Sequence, residues 1–131
     1  MSEQSNISIV RDLYAALSKG DTAHVSEALL DDQVSLHVSG GHHQFAHEHT
    51  GNQDVASYLS SIQSLSGDIK VEPETVAAAG DQVLAVIHVQ GHRAGRALDT
   101  REVQVFTVTN GKITQITNYA GDQAAKDSFF S

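Results

Sequence analysis

The stretch VQVFTVTNGKITQITN, residues 103–118, holds two β-rich segments joined by Asn110–Gly111. Both turn residues tolerate positive φ, as a two-residue type I′ turn requires, so the spacing predicts an antiparallel hairpin. Such a turn pairs Thr109 with Lys112, Val108 with Ile113, Val105 with Ile116 and Val103 with Asn118. Directly opposed residues point to the same side of a sheet. Val103, Val105, Thr107, Thr114, Ile116 and Asn118 therefore share one face, read here as the interior. Gln104, Phe106, Val108, Ile113, Gln115 and Thr117 share the other. A bulge would flip the assignment beyond it. On this reading Phe106, Val108 and Ile113 form an outward apolar patch, suited to a homodimer contact.

Upstream, the strand pattern continues over residues 69–79, 82–91 and 98–109, broken at Gly80–Asp81 and between Gly91 and Gly95. Pro73 lacks an N–H and belongs near a strand start or on an edge. The first half of the chain is different. Val10, Leu13, Tyr14 and Leu17 fall at i, i+3, i+4 and i+7, one face of a helix that Gly20 ends. Asp21 is a fitting N-cap for a short second helix through Leu30. Val34, Leu36 and Val38 alternate with polar residues, as in a strand with one buried face. Asn52 caps a third helix with Val55, Tyr58, Leu59 and Ile62 on its apolar side and Gly67 as its stop. The tail QAAKDSFFS has the pattern of a last helical turn or two. Helices followed by a meander predict one α+β domain, residues 1–131, with helices on one face of a curved antiparallel sheet.

The chain has 131 residues, 40% of them hydrophobic, which suffices for one sizeable core. Sixteen acidic against eight basic residues give a formal net charge of −8. That balance argues against nucleic acid and anionic membrane as partners, since both need a basic surface. There is no cysteine, which excludes disulfides, thiolate metal sites and thiol nucleophiles. The start MSEQSNISIV does not read as a signal peptide, and no apolar segment approaches the ~20 residues of a spanning helix. A cytoplasmic protein is the expectation.

Four strings, VRDLYAALSKGD, DDQVSLHVSG, TGNQDVASYL and FTVTNGKITQITNYAGDQ, resemble the nuclear transport factor 2-like superfamily. Within it they are most similar to the branch of SnoaL-like polyketide cyclases and ketosteroid isomerase relatives. They span nearly the whole chain. The resemblance implies a cone-shaped fold, three N-terminal helices packed on a strongly curved antiparallel sheet that encloses a pocket. It also implies a dimer through the outer face of the sheet. It is specific for fold and weak for reaction.

The resemblance places two candidate catalytic residues. DDQVSLHVSG puts His37 where the isomerases carry a general-base Asp, and imidazole suits proton transfer near neutral pH. Asn118 stands where the cyclases carry a catalytic Asp; an amide cannot exchange a proton there but can hold a substrate oxygen. The expectation is that His37 and Asn118 converge on one ligand. Tyr14, one residue past the position of the isomerases' oxyanion-binding Tyr, is a candidate pocket residue. So are His88, within VLAVIHVQ, and Val103, Val105 and Ile116 from the interior face. The string EVQVF shows no evident counterpart of the isomerases' acidic oxyanion donor.

Five of the eight histidines fall within HVSGGHHQFAHEHTG, residues 37–51. The string HEH is not a metal signature such as HExxH. His42, His43, His47 and His49 are read as a polar loop, with no metal and no cofactor expected. No GxSxG elbow or Gly-rich phosphate loop is present. Arg93, Arg96 and Arg101 are read as a solvated turn. The function expected is cofactor-free acid–base chemistry, an isomerisation, cyclisation or hydrolysis, on a hydrophobic small molecule. Non-catalytic binding of such a molecule, and a dimeric protein-interaction domain, are the alternatives.

Overall fold

The structure, a computed structural model, describes residues 3–38, 48–65, 69–93, 95–121 and 124. Helix α1 (Glu3–Lys19) buries Val10, Leu13 and Tyr14 on the face that their spacing predicts. It ends in a Schellman arrangement: Asp21 N–H bonds Ala16 C=O at 2.9 Å and Gly20 N–H bonds Leu17 C=O at 3.1 Å. Gly20 sits at φ +73°, where a Cβ is disfavoured. The Asp21 side chain then accepts from His24 N–H at 3.2 Å and starts α2 (Thr22–His24), which widens into a single π-helical turn, Val25–Leu29. The segment read as one short helix is thus two tightly joined pieces.

Strand β1 (Leu30–Val38) follows, then β2 (Glu48–Thr50), α3 (Asn52–Leu65), β3 (Ile69–Ala79), β4 (Gln82–Arg93), β5 (Arg96–Thr109) and β6 (Lys112–Ala120). The six strands form one open, curved sheet in the order β2-β1-β6-β5-β4-β3. Neighbours are antiparallel except β1 and β6, which run parallel, so the expected all-antiparallel sheet is corrected at that one junction. Pro73 lies on the edge strand β3, beside a register shift between Pro73 and Thr75. Helices α1 and α3 cover the inner face. The expected stop at Gly67, the tail QAAKDSFFS apart from Ala124, and His42, His43 and His47 fall outside the described residues.

The final hairpin forms at Asn110–Gly111, with φ +53° and +80°, and pairs Thr109 with Lys112. Its faces are not those expected. Val108 pairs with Ile113, but Thr107 pairs with Gln115, which leaves Thr114 as an extra residue. The Thr114 hydroxyl donates to Thr107 C=O at 3.3 Å across this bulge. A bulge shifts side-chain parity on its own strand alone. Phe106, Val108 and Ile113 are therefore buried together with Ile116 and Asn118. The outward homodimer patch is corrected accordingly: Phe106, Val108 and Ile113 belong to the core. Val103 and Val105 alternate to the outer face, where Leu84 and Tyr119 are the exposed large apolar residues among those described.

A candidate ligand pocket between two helices and the sheet

The inward residues of the sheet and the facing sides of α1 and α3 do not meet completely. They leave a cavity of about 90 Å³, counted as the space open to the centre of a water molecule. Leu13, Tyr14 and Leu17 close it from α1, and Tyr58 and Leu59 from α3. The sheet supplies aliphatic walls, among them Leu36, Val38, Ile87, Val89 and Ile116. Across these walls runs one polar line. β5 presents Glu102, Gln104 and Phe106 on alternate positions, and β6 sets Asn118 directly opposite Gln104.

The polar side chains are bonded in series. The Tyr14 hydroxyl donates to Gln104 Oε1. Gln104 Nε2 donates to Asn118 Oδ1 at 2.9 Å, and Asn118 Nδ2 donates to Glu102 Oε1 at 3.1 Å. Each donor points the same way along the line, which ends on the carboxylate. Glu102 is only 6% exposed and Asn118 5%. Groups buried so deeply cost about 1–3 kcal/mol each if left unbonded, so the series explains how four polar side chains persist on an apolar wall. Burial pushes the Tyr14 and Tyr58 phenols above their usual range near 10, and the negative charge of Glu102 raises both further. Tyr14 also meets Phe106 edge to face, with ring centroids 6.1 Å apart.

These raised phenols give a pH dependence. Above about pH 10 the unfolded chain loses phenolic protons that the folded chain keeps, so the unfolded state binds fewer protons and stability falls as pH rises. Urea midpoints measured from about pH 9 to 11.5 should decline from about pH 10 upward, and Tyr14→Phe should flatten the decline. A midpoint constant over that interval would contradict the buried, carboxylate-facing phenols.

The expected site residues divide. Tyr14, Ile116 and Asn118 line the cavity. His37 does not: it pairs with Thr117, while its neighbour Val38 pairs with Asn118. Val38 and Asn118 face inward, so His37 faces outward, and the expected convergence of His37 with Asn118 is corrected. The His37 ring is 55% exposed and its Nδ1 lies 3.2 Å from Glu48 Oε1. Such an exposed pair is worth little. His88 also lies on the outer face, next to the inward Ile87 and Val89. Its Nε2 bonds Asp99 Oδ1 at 2.6 Å, and that hydrogen bond holds the Asp99 carboxyl below its usual range. Arg101 lies on the same face and pairs with Glu74 through two hydrogen bonds, of 2.7 and 3.1 Å. Val103 and Val105 are likewise removed from the pocket lining by the bulge.

Glu102 and Gln104 escaped the sequence reading. Parity counted through an unbulged hairpin sends both outward. The signal available was the run Glu102, Gln104, Phe106, Val108, whose large aromatic member is the natural core residue. Of the histidine-rich stretch, His49 packs its ring 4.3 Å from that of Tyr58, and its Nδ1 lies 3.1 Å from Asp54 Oδ2. Among the described residues no group of three or more histidines and carboxylates is arranged to hold a metal ion. Nor, among them, is any helix long and apolar enough to cross a membrane.

This geometry has relatives. A protein of unassigned function from Mycobacterium bovis is 32% identical over 133 residues, covering all of both chains. Bal32a, from a soil-derived mobile gene cassette, superposes with a TM-score of 0.91 at 26% identity over 98% of each chain. A nuclear transport factor 2-like protein of Burkholderia xenovorans gives 0.85 at 25% identity, covering 100% of this chain and 99% of that one. The family model for the SnoaL-like domain matches residues 10–116, most of the chain. With helices α1 and α3 set on an open curved sheet around a pocket, and with that match, this chain belongs to the SnoaL-like domain family of the nuclear transport factor 2-like fold.

Proposed function

We propose that the cavity takes up an apolar small molecule and performs cofactor-free acid–base chemistry on it, with Glu102 as the proton-transferring group. The observation that carries this reading is the series Tyr14–Gln104–Asn118–Glu102, set into a mainly apolar wall. A pocket of this make-up holds a ligand by its apolar body and orients it by a few placed polar groups. Glu102 replaces His37 in the role expected from sequence, because it is the carboxylate that lines the cavity. Asn118 and Gln104 cannot exchange protons near neutral pH. They fix the carboxylate and offer hydrogen bonds to a ligand oxygen. Isomerisation, cyclisation and hydrolysis all fit a single positioned carboxylate beside a phenol.

The two amides in the middle of the series favour a second reading, a pocket that binds without turnover. The two readings separate on Glu102→Gln. Wild-type protein would be screened against β,γ-unsaturated ketones, enolisable diketones and epoxides carrying apolar bodies. For any compound turned over, Glu102→Gln should lower kcat by ~10²–10⁴ and leave binding within a few-fold. Turnover unchanged in that variant would remove Glu102 from the chemistry. Binding of these compounds with no turnover by the wild type would leave the binding reading.

A further inference from the structure

We infer that the ligand of this pocket carries its oxygen function in the middle of an apolar body, as an internal acceptor with an apolar arm on either side, held there by amide N–H groups of Gln104 and Asn118. The inference rests on the reading that the cavity takes up a small molecule, and it names how that molecule is laid out.

The first ground is the order of the wall along the strands. Inward side chains on one strand follow each other at about 7 Å, so the strand register gives each wall residue a level. Glu102 and Gln104 are consecutive inward positions on β5, and Asn118 is paired with Gln104. The Tyr14 hydroxyl reaches the same level from α1 through its bond to Gln104. The Tyr58 phenol feels the charge of Glu102, which sets it near this level from α3. The polar groups of the described lining thus occupy one band, about 7 Å deep along the strands. One step beyond Gln104 stands Phe106, paired with Ile116, which is paired in turn with Leu36. In the other direction Val89 and its partner Val71 stand one step beyond Glu102, level with Thr100, and Leu98 stands two steps beyond. Apolar zones therefore flank the polar band on both sides. A ligand with its polar group at one end would fill the band and one zone, and would leave the other zone without a partner.

The second ground is what the two amides have left to give. Gln104 Oε1 accepts from Tyr14, and Asn118 Oδ1 accepts from Gln104. An amide nitrogen carries two N–H donors. Gln104 Nε2 gives one of its pair to Asn118, and Asn118 Nδ2 gives one to Glu102. Among the described residues neither nitrogen makes a further bond. The second N–H groups belong to directly opposed residues that both line the cavity. A ligand oxygen with two lone pairs can accept from both.

The third ground is charge. Among the described residues that line the cavity there is no Lys, Arg or His. A terminal carboxylate on the ligand would enter beside Glu102 with no cation to meet it, at a cost that poor solvation raises. An internal ketone, ester or epoxide is neutral. Its oxygen at the amides sets the carbons next to it one inward step from Glu102, which agrees with the proton-transferring role given to that carboxylate.

The test uses the full chain and three probes with bodies of equal length: nonan-5-one, nonan-2-one and nonanoate. Binding would be measured by calorimetry near neutral pH. Nonan-5-one should bind about 10-fold tighter than nonan-2-one or better, because only it fills both apolar zones, and nonanoate should bind weakest. Gln104→Met keeps the side-chain length and loses the N–H, so it should weaken nonan-5-one by about fivefold. The infrared carbonyl stretch of bound nonan-5-one should lie below that of the ketone in hexane, and should move back toward it in Gln104→Met. Nonan-2-one or nonanoate matching nonan-5-one overturns the internal layout and leaves the small-molecule pocket standing. A carbonyl stretch equal to that in hexane overturns the hold by the amides. Failure of all three probes to bind overturns the inference and the pocket reading together. Should Gln104→Met not fold, the wild-type ranking and the wild-type stretch decide.

Discussion

Gly121→Ala should lower the melting temperature by roughly 10 °C or more, from a loss of about 3 kcal/mol or more. A Cβ added at Gly121 would lie 2.2 Å from the carbonyl oxygen of Arg101 and 3.3 Å from its carbon. Gly121 N–H donates to that same carbonyl at 2.9 Å, so the two backbones are held close by the bond that a methyl group would have to break. Neither side can yield as a flexible side chain would. Because Arg101 precedes Glu102, any shift of β5 also moves the carboxylate that ends the polar line. Thermal unfolding followed by circular dichroism is the measurement. A melting temperature within about 2 °C of the wild type would show that the backbones separate easily.

Phe106→Ala should cost about 3–5 kcal/mol, and Val105→Ala about 1 kcal/mol. Phe106 is 1% exposed and is among the largest fully buried side chains. Truncating it opens a void beneath α1 and takes away the edge contact to Tyr14. Val105, one position earlier, lies half-buried on the outer face. Urea denaturation of both variants measures the difference directly. The reverse ranking would mean that the parity of β5, and with it the bulge at Thr114, is misplaced.

Adjacent valine and phenylalanine side chains also mark where reading the sequence stopped. The helix face of Val10, Leu13 and Tyr14, the stop at Gly20, the alternation of Val34, Leu36 and Val38, and the turn at Asn110–Gly111 were all legible. Each rests on a period or a φ requirement confined to a few residues. The sides of the last two strands were not legible, because they depend on one inserted residue, Thr114, which no local propensity announces. That single residue moved Phe106, Gln104 and Glu102 from the expected outside to the inside. His37 shows the complementary limit. Its strand and its alternation were read correctly, yet resemblance placed a catalytic role on a side chain that the alternation itself sends outward. Tyr14 was legible as a helix-face residue, but its bond to Gln104, ninety residues away, was not.

The parallel seam between β1 and β6 has a consequence for how the pocket comes to exist. Leu36 pairs with Ile116 across eighty residues of chain, whereas β3, β4, β5 and β6 pair in sequence through short turns. Contacts so distant carry the largest loop-closure entropy and the slowest formation. The strands of the meander close through local turns, while β1 has no partner on β6 until that strand has left the ribosome. The pairing that sets the aliphatic wall of β1 beside the amide of Asn118 thus carries the largest closure cost in the sheet, and a nascent chain leaves the inner side of β1 without that neighbour until its last strand is made.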